Sequence, residues 1–195
     1  MLCKSTKDWY QYLIKDEFSE VVGGVHRWRN CKAELNYDGD WDHIWKNSRS
    51  ACLNDDCISL AFKILHDLLP TEDRIASVLR NSSALCKFSC GCVSDQVHIF
   101  FHCVHSSAIG DWLMSLVGCI FPLATPESTL KLDVFDNESL VWIILETFHF
   151  IWDHRVKGKR VTVLECMAKL KSEAEMLIET AHDDKATIIL QYLHL

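Results

Sequence analysis

Apolar residues recur along the chain at the three-to-four-residue spacing of helices that bury one face. Residues 5–18 place Trp9, Tyr12 and Leu13 to one side, and Trp41, Ile44 and Trp45 share another helical face. Between them, Gly23-Gly24, Asn36 and Asp38-Gly39-Asp40 mark turns. Asp55-Asp56 then opens the segment CISLAFKILHDLL, which Pro70 stops. Thr71 caps a following helix with Glu72 and Asp73 in its first turn. Ile75, Val78 and Leu79 are expected on its inward face, and Asn81-Ser82-Ser83 ends it.

Beyond a cysteine-rich stretch, 108–120 reads as a helix, and Pro122, Pro126 and Ser128 mark a loop. Asn137 caps a helix from Glu138 to about His154, closed by Gly158. Val141, Trp142, Ile143, Ile144, Leu145, Phe148, Phe150, Ile151 and Trp152 make it apolar nearly all round. Such a helix is central to a core or covered by something else. A last helix runs from about Thr162 to Ala181 and resumes toward Leu195. Only three Pro and seven Gly are present, too few turn residues for a sandwich or barrel. The expectation is an all-α fold, with Trp41, Trp45, Leu65 and Leu68 in its core.

Composition narrows the function. A net charge of −7 does not favour polyanions over the whole surface, so nucleic-acid contact would need a local basic patch. The densest basic run is His154-Arg155-Val156-Lys157-Gly158-Lys159-Arg160. Arg155, Lys157, Lys159 and Arg160 are its candidate phosphate contacts, joined by Lys87 of the cysteine-rich stretch. Cations also gather at helix C-termini because the macrodipole favours them there. No apolar signal core follows Met1, and 140–152 is too short to span a bilayer. The expected location is intracellular, in cytoplasm or nucleus.

The ten cysteines are unevenly spread, and without a secretory signal they point to thiols or metal rather than disulfides. Cys86-x3-Cys90-x7-His98-x4-Cys103 offers three thiolates and an imidazole, a donor set suited to tetrahedral zinc. Four protein ligands leave no open position, so the site is structural rather than catalytic. Cys92, His102 and His105 lie close by, and Cys92 is the alternative to Cys90. The competing reading is a set of unligated buried thiols.

An ordered set of residues resembles a known module. Trp41-Asp42-His43-Ile44-Trp45 is followed by Leu69-Pro70-Thr71-Glu72-Asp73-Arg74-Ile75. Cys86, Cys90, His98-Ile99-Phe100-Phe101-His102-Cys103 and Trp112 come next. This pattern resembles the zinc-binding domain at the C-terminal end of reverse transcriptases of non-LTR (LINE-type) retrotransposons. The resemblance covers about 75 residues, from Trp41 to Leu116, within the size of one domain. Ser94-Asp95-Gln96 stands where the family often has Glu-Thr, and the polymerase domain has no counterpart in the sequence.

The resemblance implies a tail derived from a mobile element, one that helps hold RNA or DNA. On this reading the chain divides into a helical arm (1–40), the zinc-binding domain (41–120) and a C-terminal helical extension (121–195). No catalytic residue set is expected, and Tyr37-Asp38-Gly39-Asp40 reads as a turn rather than a polymerase metal motif. Weak binding of RNA or single-stranded DNA, or of a missing polymerase domain, is the expected role. The alternative is a partner protein docking on the apolar 140–152 helix.

Overall fold

The computed structural model describes residues 54–79, 81–132, 137–181 and 184–194. The arm expected at 1–40, the pair Trp41 and Trp45, and Tyr37 lie outside the described residues. Seven α-helices are described: α1 (Asp55–Leu65), α2 (Glu72–Val78), α3 (Ser107–Ile120), α4 (Pro126–Lys131), α5 (Glu138–Val156), α6 (Val163–Ala181) and α7 (Asp184–Tyr192). A single π turn, His98–His102, precedes α3. Among the described residues there is no strand, and one isolated antiparallel bridge joins Leu85 to Val93.

The fold is organised around α5. Its mixed face pattern leaves no polar side, and residues 139–148 are all buried along it. α1, α3, α6, α7 and the π turn all pack against it. Trp142, Phe148, Ile143 and Ile144 sit at its centre with no more than 1 % exposure. Asn137 caps it by accepting from the Leu140 N–H, and the Asn137 amide donates to Tyr192 Oη of α7 at 2.8 Å. The helix expected from the sequence is thus present, and it is core. Most of its apolar residues are covered by the chain's own helices. One apolar cluster runs from Cys57 to Leu193, so the core is continuous across position 120.

Four local expectations are corrected. α1 ends at Leu65, before Pro70, because Asp67 takes a left-handed conformation at φ 52°. The Leu68 N–H then bonds the Lys63 carbonyl and the Asp67 N–H bonds Ile64, a Schellman closure. That reversal turns Leu68 outward, 44 % exposed, and Leu69 inward, fully buried; Leu65 is buried as expected. α2 likewise buries none of Ile75, Val78 or Leu79, because it is anchored through the polar residues at its start, Thr71 and Glu72. Residues 126–131, expected as loop, form α4, started by Pro126 and a Thr125–Ser128 capping box.

This register predicts a sharp contrast between adjacent leucines. Leu69→Ala should cost about 2–5 kcal/mol, as for a buried side chain whose site cannot collapse. Leu68→Ala should stay within about 0.5 kcal/mol, as for a surface position. Urea denaturation followed by helical circular dichroism checks both, and equal losses would contradict the register.

Candidate metal centre

Three local devices bring the four sequence-predicted ligands together. The first is a tight hairpin around 84–94. The Ser94 N–H bonds Ala84 O and the Cys86 N–H bonds Cys92 O, both at 2.9 Å. Its turn needs left-handed backbone at Ser89 (φ 61°) and Gly91 (φ 72°). This brings Cys86 and Cys90 to one side and turns the exposed Cys92 away, its thiol directed at Cys90 O at 3.5 Å.

The second device is the π turn. The Cys103 N–H bonds the His98 carbonyl at 2.7 Å, an i→i+5 closure that sets the ends of His98-x4-Cys103 side by side. Asp95 starts the segment by accepting from the His98 N–H at 2.7 Å. Ser106 Oγ donates to Ile99 O at 2.5 Å and ties the turn to α3. The third device is Gly110. α3 crosses the turn so closely that an added Cβ would lie 2.8 Å from Phe101 Cα and 2.9 Å from Phe100 O.

The ligand atoms of Cys86, Cys90, His98 and Cys103 consequently lie within 4.8 Å of one another and can hold a metal ion. The Cys86–Cys103 and Cys90–Cys103 sulfur separations are 3.7 and 3.6 Å, far beyond the roughly 2.05 Å of a disulfide. His98 is buried, and its Nε2 has no hydrogen-bond partner. A buried imidazole nitrogen without a partner beside three thiols is an atom prepared for a ligand. His102 is exposed and His105 stacks on Phe88 at 4.1 Å between centroids, so neither joins the set.

The electrostatics favour a cation. Burial raises the Cys86 thiol, but the Phe88 N–H, His98, the Arg155 guanidinium and Cys90 together outweigh it and hold Cys86 at about 6. Cys103 is pushed up to about 12 by burial and by the neighbouring cysteines, despite a backbone hydrogen bond that opposes this. One thiolate therefore makes the next harder to form. A bound cation removes that conflict by replacing the protons.

The four residues of the basic run have different fates. Arg155 is 3 % exposed, and its guanidinium reaches Cys86 Sγ, Cys103 Sγ, Ser94 Oγ and Glu72. It is withdrawn from the set of candidate phosphate contacts. Lys157, Lys159 and Arg160 are exposed, with Lys157 paired to Asp153 at 2.6 Å. Lys87 donates to Arg155 O at 2.7 Å. The role of Arg155 had no sequence signal, since it lies 52 positions from Cys103.

A second cluster, Cys57, Glu146 and His149, also went unread in the sequence. Glu146 accepts from Asn54 Nδ2 at 3.0 Å and from Lys169 Nζ at 3.2 Å. Burial raises the Glu146 carboxyl, but the neighbouring His149 and Cys57 and the Lys169 ammonium bring it down to about 2. Lys169 already supplies the positive charge there, so the cluster is an internal ion pair tying α5 to α6. No family model, curated protein or solved structure matches the chain. Among the described residues, no helix is long and apolar enough to cross a membrane.

The close crossing at Gly110 generates a prediction. Gly110→Ala should cost about 1–3 kcal/mol by overpacking backbone atoms. It should also loosen metal retention, because the His98–Cys103 turn must move. Gly118→Ala, whose Cβ meets nothing within 4 Å in the same helix, is the control. It should be neutral or stabilising by up to about 1 kcal/mol. Thermal melts of both variants, with metal content measured alongside, distinguish a local clash from a general effect of substitution.

Proposed function

We propose that this chain is a zinc-stabilised helical module of the kind found at the C-terminal end of non-LTR retrotransposon reverse transcriptases. Its part is non-catalytic: holding RNA or single-stranded DNA, or serving as a scaffold beside a polymerase. The observation that carries the zinc reading is the geometry of Cys86, Cys90, His98 and Cys103. Tetrahedral zinc with bonds of about 2.3 Å to sulfur sets its sulfurs roughly 3.8 Å apart. The two sulfur separations here are 3.7 and 3.6 Å. Three thiolates and an imidazole suit zinc, and four protein ligands leave no position for substrate or water. The zinc would be the closure of a small knuckle inserted before α3, with no chemistry of its own.

The residues that carry the family resemblance have structural parts that fit this reading. Leu69 is core, Thr71 caps α2, and Ile99, Phe100 and Phe101 anchor the ligand-bearing turn in the apolar cluster. The nucleic-acid role rests on the exposed Lys157, Lys159 and Arg160. These continue past the end of α5 beside His105, which meets the Lys159 backbone and lies within reach of the Arg160 charge.

Protein purified without added metal should contain one zinc per chain by elemental analysis. A value near zero that reconstitution does not change would remove the zinc reading. Cys103→Ser should loosen 86–105 and expose its thiols to alkylation, because ligation and local folding are linked. The α5-centred core should keep its helical signal, since most of the apolar cluster lies outside that segment.

For nucleic acid, fluorescence anisotropy with single-stranded RNA at two salt concentrations should show weak, salt-sensitive binding. Replacing Lys157, Lys159 and Arg160 with Ala should flatten the log–log salt slope by up to about 2, taking about 0.7 per phosphate contact. Unchanged affinity and slope would confine these cations to a solvated helix end.

A further inference from the structure

The zinc site as read from its four ligands is incomplete in charge. Three thiolates exceed the charge of a divalent ion by one, and the neutral imidazole adds nothing. That excess would sit beside buried Cys86 and Cys103, where an unbalanced charge is costly. Among the described residues, a cation in contact with these sulfurs comes from α5, the central helix, and not from the ligand segment.

Arg155 stands in the last turn of α5, and its guanidinium lies against the sulfurs. Nη1 is 3.9 Å from Cys86 Sγ and 3.8 Å from Cys103 Sγ, and Nη2 is 3.9 Å from Cys86 Sγ. Nη2 also donates to Glu72 Oε2 at 2.7 Å and to Ser94 Oγ at 3.0 Å. Ser94 Oγ in turn donates to Glu72 Oε2 at 2.6 Å, so the carboxylate holds the fork from α2. Phe88 covers it with its ring centroid 5.0 Å from the guanidinium carbon. Lys87 fastens the same helix end by donating to Arg155 O. Only the planar, five-donor guanidinium serves two sulfurs, a hydroxyl and a carboxylate at once; an ammonium carries the charge without the fork.

We propose that Arg155 is the positioning and charge-balancing partner of the zinc thiolates, so that zinc loading and docking of α5 on the ligand segment support each other. The proposal rests on the zinc reading above. Outer partners of metal ligands orient them and set their affinity, and N–H···S bonds make a thiolate both a better-held ligand and a poorer nucleophile.

The test is zinc affinity of the full chain, measured by competition with a chromophoric chelator. It is run on the parent, Arg155→Lys, Arg155→Met and the double variant Arg155→Met/Glu72→Gln. The double variant leaves no partly buried carboxylate unpaired, so it separates the effect on the ion from loss of the ion pair. Arg155→Met and the double variant should bind zinc about 10–100-fold more weakly, with Arg155→Lys between them and the parent. Their zinc-loaded thiols should also react faster with iodoacetamide, and the rise in Tm on adding zinc should shrink. Zinc affinity within about twofold of the parent in both Met variants would make Arg155 a structural partner of Glu72 alone. Loss of helical signal in the double variant would likewise overturn the proposal, because the residue would then serve the fold rather than the ion. A parent that binds no zinc would instead defeat the zinc reading, and this proposal with it.

Discussion

A helix that is apolar on every side must be surrounded, and much of this structure follows from surrounding α5. Its buried residues from Ser139 to Ile151 require neighbours on all faces, and α1, α3, α6, α7 and the π turn provide them. Phe148 illustrates the consequence. It packs 4.6 Å from the Phe100 ring centroid and 5.8 Å from that of Phe101, both in the π turn between two ligands. Burial of α5 thus fixes the position of the segment through Ile99, Phe100 and Phe101. The ligand segment is a satellite of the core, held at one end by aromatic packing and at the other by Arg155.

The same central helix carries polar groups where its neighbours can answer them. Glu146, 1 % exposed, is paired by Lys169 from α6 and Asn54 from the start of α1. A buried pair of this kind adds little net stability, while removing one partner would leave an uncompensated charge. Its effect is on register: α5 can sit against α1 and α6 only where Glu146 meets both donors. Arg155, nine residues later, plays the matching part toward α2 and the sulfurs. Two charged side chains therefore fix the rotation and height of a helix whose apolar surface alone would tolerate sliding.

The sequence carried the helices best where a period or a cap existed. Asn137 as the cap of α5 and Thr71 as the cap of α2 are found as expected. The clustering of Cys86, Cys90, His98 and Cys103 was equally readable, because these residues are close in sequence and their segment is closed by local hydrogen bonds. Features decided by long-range packing were not. Nothing local distinguishes Leu68 from Leu69, since their fates follow from a left-handed Asp67 held by Gln96 of the ligand segment. The inward face assigned to α2 failed for a similar reason: a helix of seven residues is placed by Glu72 and Thr71, not by Ile75 or Val78. α4 was passed over because its Pro reads as a breaker, although at the first helical position it favours a start.

The basic run around 154–160 shows how one short stretch can serve two environments. Charge density alone groups Arg155 with Lys157, Lys159 and Arg160. Helix geometry separates them, because α5 ends at Val156 and Gly158, at φ 66°, reverses the chain just after. Arg155 still belongs to the buried helix and faces its neighbours, whereas the residues beyond the reversal face solvent. The helix end thus supplies a buried cation inward, to the sulfurs, and exposed cations outward. Any polyanion held by the outer group would lie at the edge of the ligand segment, beside His105, with the inner cation already committed to the thiols. Zinc loading and polyanion binding would then draw on different charges of the same helix end, so occupancy of one need not exhaust the other.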